Sequence, residues 1–283
     1  MDNEIIQRVL EEVKKKLNDK EMNFDVEKEI QQTIGQLNGE SENEVKKEVK
    51  CMENISGITE FIGYGLGDTV GLVIANVDSA LHEKMGLDKK YRSIGIVGGR
   101  TGAGPQIMAG DEAVKATNTE VVAIELARDT KGGAGHGSLV IFAAEDVSDA
   151  RRAVEVTLKE LNRTFGDVYG CDVGHLELQY TARASYALNK GFGAPIGKAF
   201  GIIVGAPAAI GVVMADTALK TANVEVVSYA SPNVGTAHSN EVILTITGDS
   251  GAVRQSVMSA REKGMKILKA MGQNPTSTTQ PYI

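Results

Sequence analysis

The chain has 283 residues, a formal net charge of −7, 42% apolar and 24% charged residues, which suits one large domain or two with a buried core. The acidic balance argues against a nucleic-acid partner, because phosphate recognition needs clustered Lys and Arg. No apolar run approaches the roughly 18 residues of a membrane span, and two cysteines, Cys51 and Cys171, are too few for a disulfide scaffold and suit a reducing compartment.

The chain opens with MDNEIIQRVLEE, which lacks the basic-then-apolar layout of a signal peptide. Residues 1–50 carry 9 Lys+Arg and 13 Asp+Glu and only two glycines, so this stretch is a module apart from the Gly-rich remainder. Ile5, Ile6, Val9, Leu10, Val13 and Leu17 fall at helical spacing, and Val26, Ile30, Ile34 and Leu37 form a weaker stripe. Isolated helices of this length are marginal in water. Two readings stay open for residues 1–57: a partly helical or disordered extension, or an amphipathic helix that folds on a partner's groove.

Beyond it the sequence repeats itself. DEAVKATN (111–118) and DTALKTAN (216–223) agree at four of eight positions, 105 residues apart. The match extends through SIGIVGGRTGAGPQIMAG (93–110) against AFGIIVGAPAAIGVVMA (199–215), and through GDTVGLVIANVDSAL (67–81) against GHLELQYTARASYAL (174–188). A unit of this size is a duplicated domain, too long for a solenoid repeat. In LELQYTAR, Leu176, Leu178 and Tyr180 alternate with Glu177, Gln179 and Thr181, the pattern of a half-buried strand. FGIIVG, VEVVSYA and VILTIT are further strands, with helices over 209–222 and 250–271. The order strand-strand-helix-strand-strand-helix, twice, predicts an α/β (α+β) architecture: two sandwiches, each an antiparallel-rich sheet with helices on one face. The expected divisions are an extension over 1–57, repeats over 58–166 and 167–272, and a tail over 273–283.

Motifs for chemistry are sparse. GGRTGAGPQ (98–106) lacks the Gly-Lys-Ser/Thr ending of a phosphate loop, and Pro105 suits a first helical turn. Cys171 and His175 are a lone C-x3-H pair, short of a metal site's three or four ligands. No catalytic constellation, cofactor motif or metal site is expected. The pairs Asp111–Lys115 and Asp216–Lys220 stand one helical turn apart and read locally as ion pairs worth a few tenths of a kcal/mol, which leaves their repetition unexplained. The loops RDTKGGAGHG (128–137) and SPNVGTAHSN (231–240) are the most informative segments. With four glycines in ten residues, the first is either a flexible hairpin or a loop crowding a symmetry axis, where backbone groups line a hole.

These residues resemble the bacterial microcompartment shell proteins. AFGIIVGAPAAIGVVMADTALKTANVEVVSYA, followed by EVILTITGDSGAVRQSV, is similar to the shell domain's strand, helix with Asp-x-x-x-Lys, two strands and Gly-Asp-x-Gly-Ala-Val turn. In both copies the strand that ends the ordinary domain stands at the front, as in the circularly permuted tandem form. GRTGAGPQIMAGDEAVKATN and RDTKGGAGHG are most similar to the propanediol- and ethanol-utilisation branch. The resemblance, over about 60–272, implies a homotrimer whose six domains form a pseudohexagonal tile. Such tiles pack edge to edge with neighbouring shell proteins around an enzyme core in the cytoplasm. It implies tile-edge roles for Lys115 and Lys220, and an N-terminal extension that anchors lumenal cargo enzymes. It also implies that the loops face a pore, with candidate lining residues Asp129, Lys131, Gly132, Gly133, Gly135 and His136 from the first. Asn233, Gly235, Thr236, His238 and Ser239 are the candidates from the second. Because the second loop has no charge apart from His238, its hydrogen-bonding lining suits a small diol or glycerol, bound weakly, better than an ion. A trimeric small-molecule sensor built on the same loops is the alternative, and assembly into sheets separates the two.

Overall fold

A computed structural model describes residues 58–126, 137–234 and 239–283. The N-terminal helix stripes and most of the loop candidates (Asp129, Lys131, Gly132, Gly133, Gly135, His136, Gly235, Thr236 and His238) lie outside the described residues.

Residues 59–283 form one compact unit built from two copies of a single plan. The first runs β1 (Phe61–Gly65), β2 (Thr69–Ile74), α1 (Ser79–Lys84), β3 (Ser93–Gly99), α2 (Gly104–Ala116), β4 (Glu120–Glu125), β5 (Ser138–Ala144) and α3 (Val147–Thr164). The second runs β6 (Val168–Cys171), β7 (Gly174–Thr181), α4 (Tyr186–Phe192), β8 (Ala199–Ala206), α5 (Ala208–Thr221), β9 (Val224–Ala230), β10 (Val242–Gly248) and α6 (Ser250–Ala270), closed by β11 (Thr276–Ser277). Each copy therefore adds to the expected order a leading strand and a short helix between its second and third strands. Sheet order is β1-β2-β3-β5-β4 in one copy and β11-β6-β7-β8-β10-β9 in the other, with every pairing antiparallel. Of the two strands beside β3, β2 precedes it in the chain and β5 follows, as the permuted order requires.

Helices seat closely because strand glycines let them. A Cβ at Gly95 of β3 would lie 2.6 Å from the Ala150 carbonyl oxygen of α3, and one at Gly205 of β8 would lie 2.7 Å from Gly211 Cα of α5. Longer side chains there would lift the helix off the sheet. Pro105 falls in the first turn of α2, where its missing N–H costs nothing.

One expectation needs correction. The alternation in β7 predicts a wet face carrying Glu177, Gln179 and Thr181, yet all three are buried. The first copy covers that face: Gln179 donates to the Thr164 carbonyl at 2.7 Å, and Glu177 lies against Gly104 at the start of α2. A strand polar on one face is thus buried on both, with Gln179 bonded across the joint and the Thr181 hydroxyl bonded to the Arg183 backbone.

The C-terminal residues are held down as well. β11 pairs with β6, and the fully buried carboxylate of Asp167 accepts the N–H groups of Tyr282 (2.8 Å) and Ile283 (3.0 Å) through Oδ2. Its Oδ1 holds Arg261 at 2.7 Å, and Arg261 also donates to the Ile283 carbonyl at 2.9 Å.

Candidate functional site

The two copies share a hydrophobic core. Val97, Ile107, Met108, Val121 and Phe142 of the first pack in one cluster with Ala184, Ala187, Leu188, Ala194 and Phe200 of the second. In this joint, α2 and β4 of the first copy meet α4 of the second.

Its polar corner is Asp111, which is fully buried. Oδ1 accepts the backbone N–H of Ser185 at 2.9 Å and of Leu188 at 3.4 Å, together with the Ser185 hydroxyl. The carboxylate so supplies from another repeat the cap that α4 lacks from its own side chains. Oδ2 holds Lys115 at 2.7 Å, and the same ammonium reaches Glu112 at 3.0 Å. Arg163 stands 3.9 Å from the Glu112 carboxylate.

Strand register and the sequence repeat together fix the correspondence between copies: Gly99 opposes Thr69 as Gly205 opposes Leu176, and across a following turn one residue shorter in the second copy Asp111 corresponds to Asp216. On that correspondence the joint has two unfilled halves. Ile107 and Met108 are 0% exposed, whereas their counterparts Val212 and Val213 are 49% and 42% exposed. Val121 is buried while Val226 is exposed, and Tyr229 stands open where Ile124 is partly covered. At the other end, Leu188 is 0% exposed and its counterpart Leu81 on α1 is 45% exposed. The second copy's outer face is the socket, and the first copy's α1 face is the plug that fits it. Asp216 and Lys220 pair at 2.8 Å on the open socket, both well exposed. Lys115 and Lys220 therefore sit at equivalent corners, one filled and one open.

The loop roots converge on the filled joint. A recess of about 20 Å³, room for little more than one water, opens between Leu126, which precedes the first loop, and Glu241 and Ile243, which follow the second, with Glu177 on its wall. His175 Nε2 lies 3.1 Å from Glu241 Oε2. Sequence reasoning missed both glutamates: Glu177 read as a solvent-facing strand residue, and Glu241 carried no motif at all. Asn233 lies between Ser231 and Val234, which close a tight bridge, while Asn240 accepts the Ala208 N–H at 3.3 Å. Ser239 makes a polar interaction of its own. Cys171 donates to the Gly174 carbonyl at 3.3 Å and does not share a site with His175. Among the described residues, no group of three or more His, Cys, Asp or Glu is placed to hold a metal ion.

The BMC domain family model matches residues 93–172 and again 199–275. The chain belongs to the BMC-domain shell protein family. It is 69% identical over 231 residues to the bacterial microcompartment shell protein PduB of Salmonella typhimurium, covering 82% of this chain and 86% of that protein. Against the PduB of Limosilactobacillus reuteri it is 54% identical over 233 residues, covering 82% and 98%. Among solved structures, EtuB of Clostridium kluyveri superimposes with a TM-score of 0.78 at 59% identity over 80% of this chain and 99% of that one. A trimeric bacterial microcompartment shell protein PduB superimposes with a TM-score of 0.77 at 56% identity over 80% and 100%. The two BMC matches begin at β3 and β8, so β2 and β7 stand ahead of the family pattern in each repeat.

Proposed function

We propose that three copies of this chain close into a pseudohexagonal tile of a bacterial microcompartment shell, a structural and transport role without catalysis. The observation that carries this is the pair of unfilled half-joints. A plug at one end of a protomer and its socket at the other form a heterologous contact, which generates a ring when the rotation closes. Each ring of three would repeat the internal joint at every boundary, six times in all, burying Leu81, Val212, Val213 and Val226. The relatives' names as shell proteins and the trimeric state of the solved PduB support the same reading. A sensor would use the ring but has no reason to pack rings edge to edge.

Lys115 and Lys220 are the proposed edge residues, since both stand at the rim of a joint with part of the side chain in solvent. The proposed pores run by the two loops, with the hydrogen-bonding loop 231–240 as the place where a diol or glycerol lodges weakly. The extension over 1–57 is proposed to reach the cargo enzymes.

Solution mass and imaging of the full chain test the tile. The expected species is close to three times 30.0 kDa, growing into flat sheets at low salt, with sheets lost in Lys115→Ala/Lys220→Ala at protein concentrations where its trimers are still intact. Discrete trimers that never tile would point to the sensor. A second measurement, ligand-observed NMR with millimolar glycerol, is expected to show saturation transfer that Asn233→Ala reduces; its absence in the parent chain would remove the polyol assignment.

A further inference from the structure

The filled and open corners differ in where their second carboxylate comes from. In the filled joint Lys115 is shared by Asp111 and by Glu112 on its own helix, and the residue from the other repeat is the neutral Ser185. At the open corner the helix offers Thr217 where the first has Glu112, so among the described residues Lys220 meets Asp216 alone. The residue that corresponds to Ser185 on the plug is Asp78. One carboxylate has left the socket helix and one has appeared on the plug. Each corner then keeps a lysine between two carboxylates only if the plug belongs to a second copy of the chain.

Asp78 is placed for this. Its Oδ1 caps α1, accepting the N–H groups of Ala80 at 2.9 Å and Leu81 at 3.4 Å. Those are donors of the kind that Asp111 satisfies for α4 across the filled joint. Because α1 is already capped by its own chain, Asp216 of the neighbour is not needed there, and among the described residues only Oδ1 of Asp78 is engaged, which leaves Oδ2 facing an ammonium. In the filled joint the position-185 side chain bonds to Oδ1 of the carboxylate whose Oδ2 holds the lysine. A carboxylate in that place cannot donate to Asp216 as the Ser185 hydroxyl donates to Asp111, so the two like charges come together only with the lysine ammonium between them.

Resting on the tile reading, we infer that Lys220 is clamped between its own Asp216 and Asp78 of the adjacent copy, an ion-paired lock at each boundary between protomers. The boundary inside the chain makes the equivalent lock from its own helix through Glu112. A half-buried network of this kind is stronger than an exposed pair and weakens with salt.

The test is the concentration at which trimers of the full chain dissociate, followed by native mass spectrometry and sedimentation at low and high salt. Asp78→Asn and Asp78→Ser both retain a capping side chain, so α1 remains formed. Each is expected to raise the half-dissociation concentration about fivefold or more and to flatten its salt dependence. Asp78→Ser/Thr217→Glu rebuilds the corner as it stands in the filled joint and is expected to recover most of the loss. An unchanged or tighter trimer in the single variants, or no recovery in the double one, overturns the lock while leaving the tile intact. A parent chain that is never trimeric overturns both.

Discussion

Val212→Asp/Val213→Asp is expected to leave a protomer of 30.0 kDa that folds normally and does not close into a ring. Both valines are exposed in the single chain, so aspartate there leaves folding stability within about 0.5 kcal/mol of the parent. In the ring they take the place of Ile107 and Met108, which the internal joint buries completely. An unpaired carboxylate driven into that apolar seat costs about 3 kcal/mol per joint, a factor of roughly 150 in each contact. Sedimentation velocity at micromolar protein, with circular dichroism to confirm the fold, checks the result. A trimer that survives the double substitution would show that rings close through another surface. Leu81→Asp attacks the same contact from the plug side and is expected to give the same monomer.

The second large effect lies in the C-terminal strap. Asp167→Ala is expected to destabilise the chain by about 3–5 kcal/mol, read as a fall in the denaturant midpoint. The substitution removes the buried partner of Arg261 together with the acceptor of the Tyr282 and Ile283 N–H groups. It strands a guanidinium with a side chain only 17% exposed, and leaving one member of a buried pair alone is what makes such losses large. The strap also predicts an alkaline limb. Burial of the Tyr282 ring pushes its phenol up to about 12 from 10.0, ahead of a smaller lowering by its hydrogen bond to the Tyr180 backbone. Between those values the unfolded chain has given up its proton and the folded chain has not. This contribution is complete below pH 10 and fades as pH rises towards 12, by about 2–3 kcal/mol at most. Tyr282→Phe is expected to remove the largest share of that slope, with Tyr91 and Tyr169, whose phenols burial also raises, keeping the rest.

Much of this protein follows from its sequence alone. Strand alternation, the helical stripes over 209–222 and 250–271, and the Asp-x-x-x-Lys pair repeated after 105 residues determine two copies of one antiparallel α/β unit. These signals are local: side-chain period and turn residues report on the element that carries them. The repeated Asp–Lys pair also marked a position of interest, but as two equal pairs.

Only the tertiary structure decided that the pairs are unequal. Asp111 is buried under α4 and Asp216 is open because one copy has a neighbour within the chain and the other has none. Nothing near residue 216 in the sequence records what covers it. The same reason hid Glu177, whose strand pattern promised solvent until another repeat was laid across it, and Glu241, which lies far from Glu177 in sequence yet lines the same recess. A duplicated sequence specifies two like units; packing one against the other fills one half of a joint, and leaves a plug and a socket at the ends for further copies of the chain.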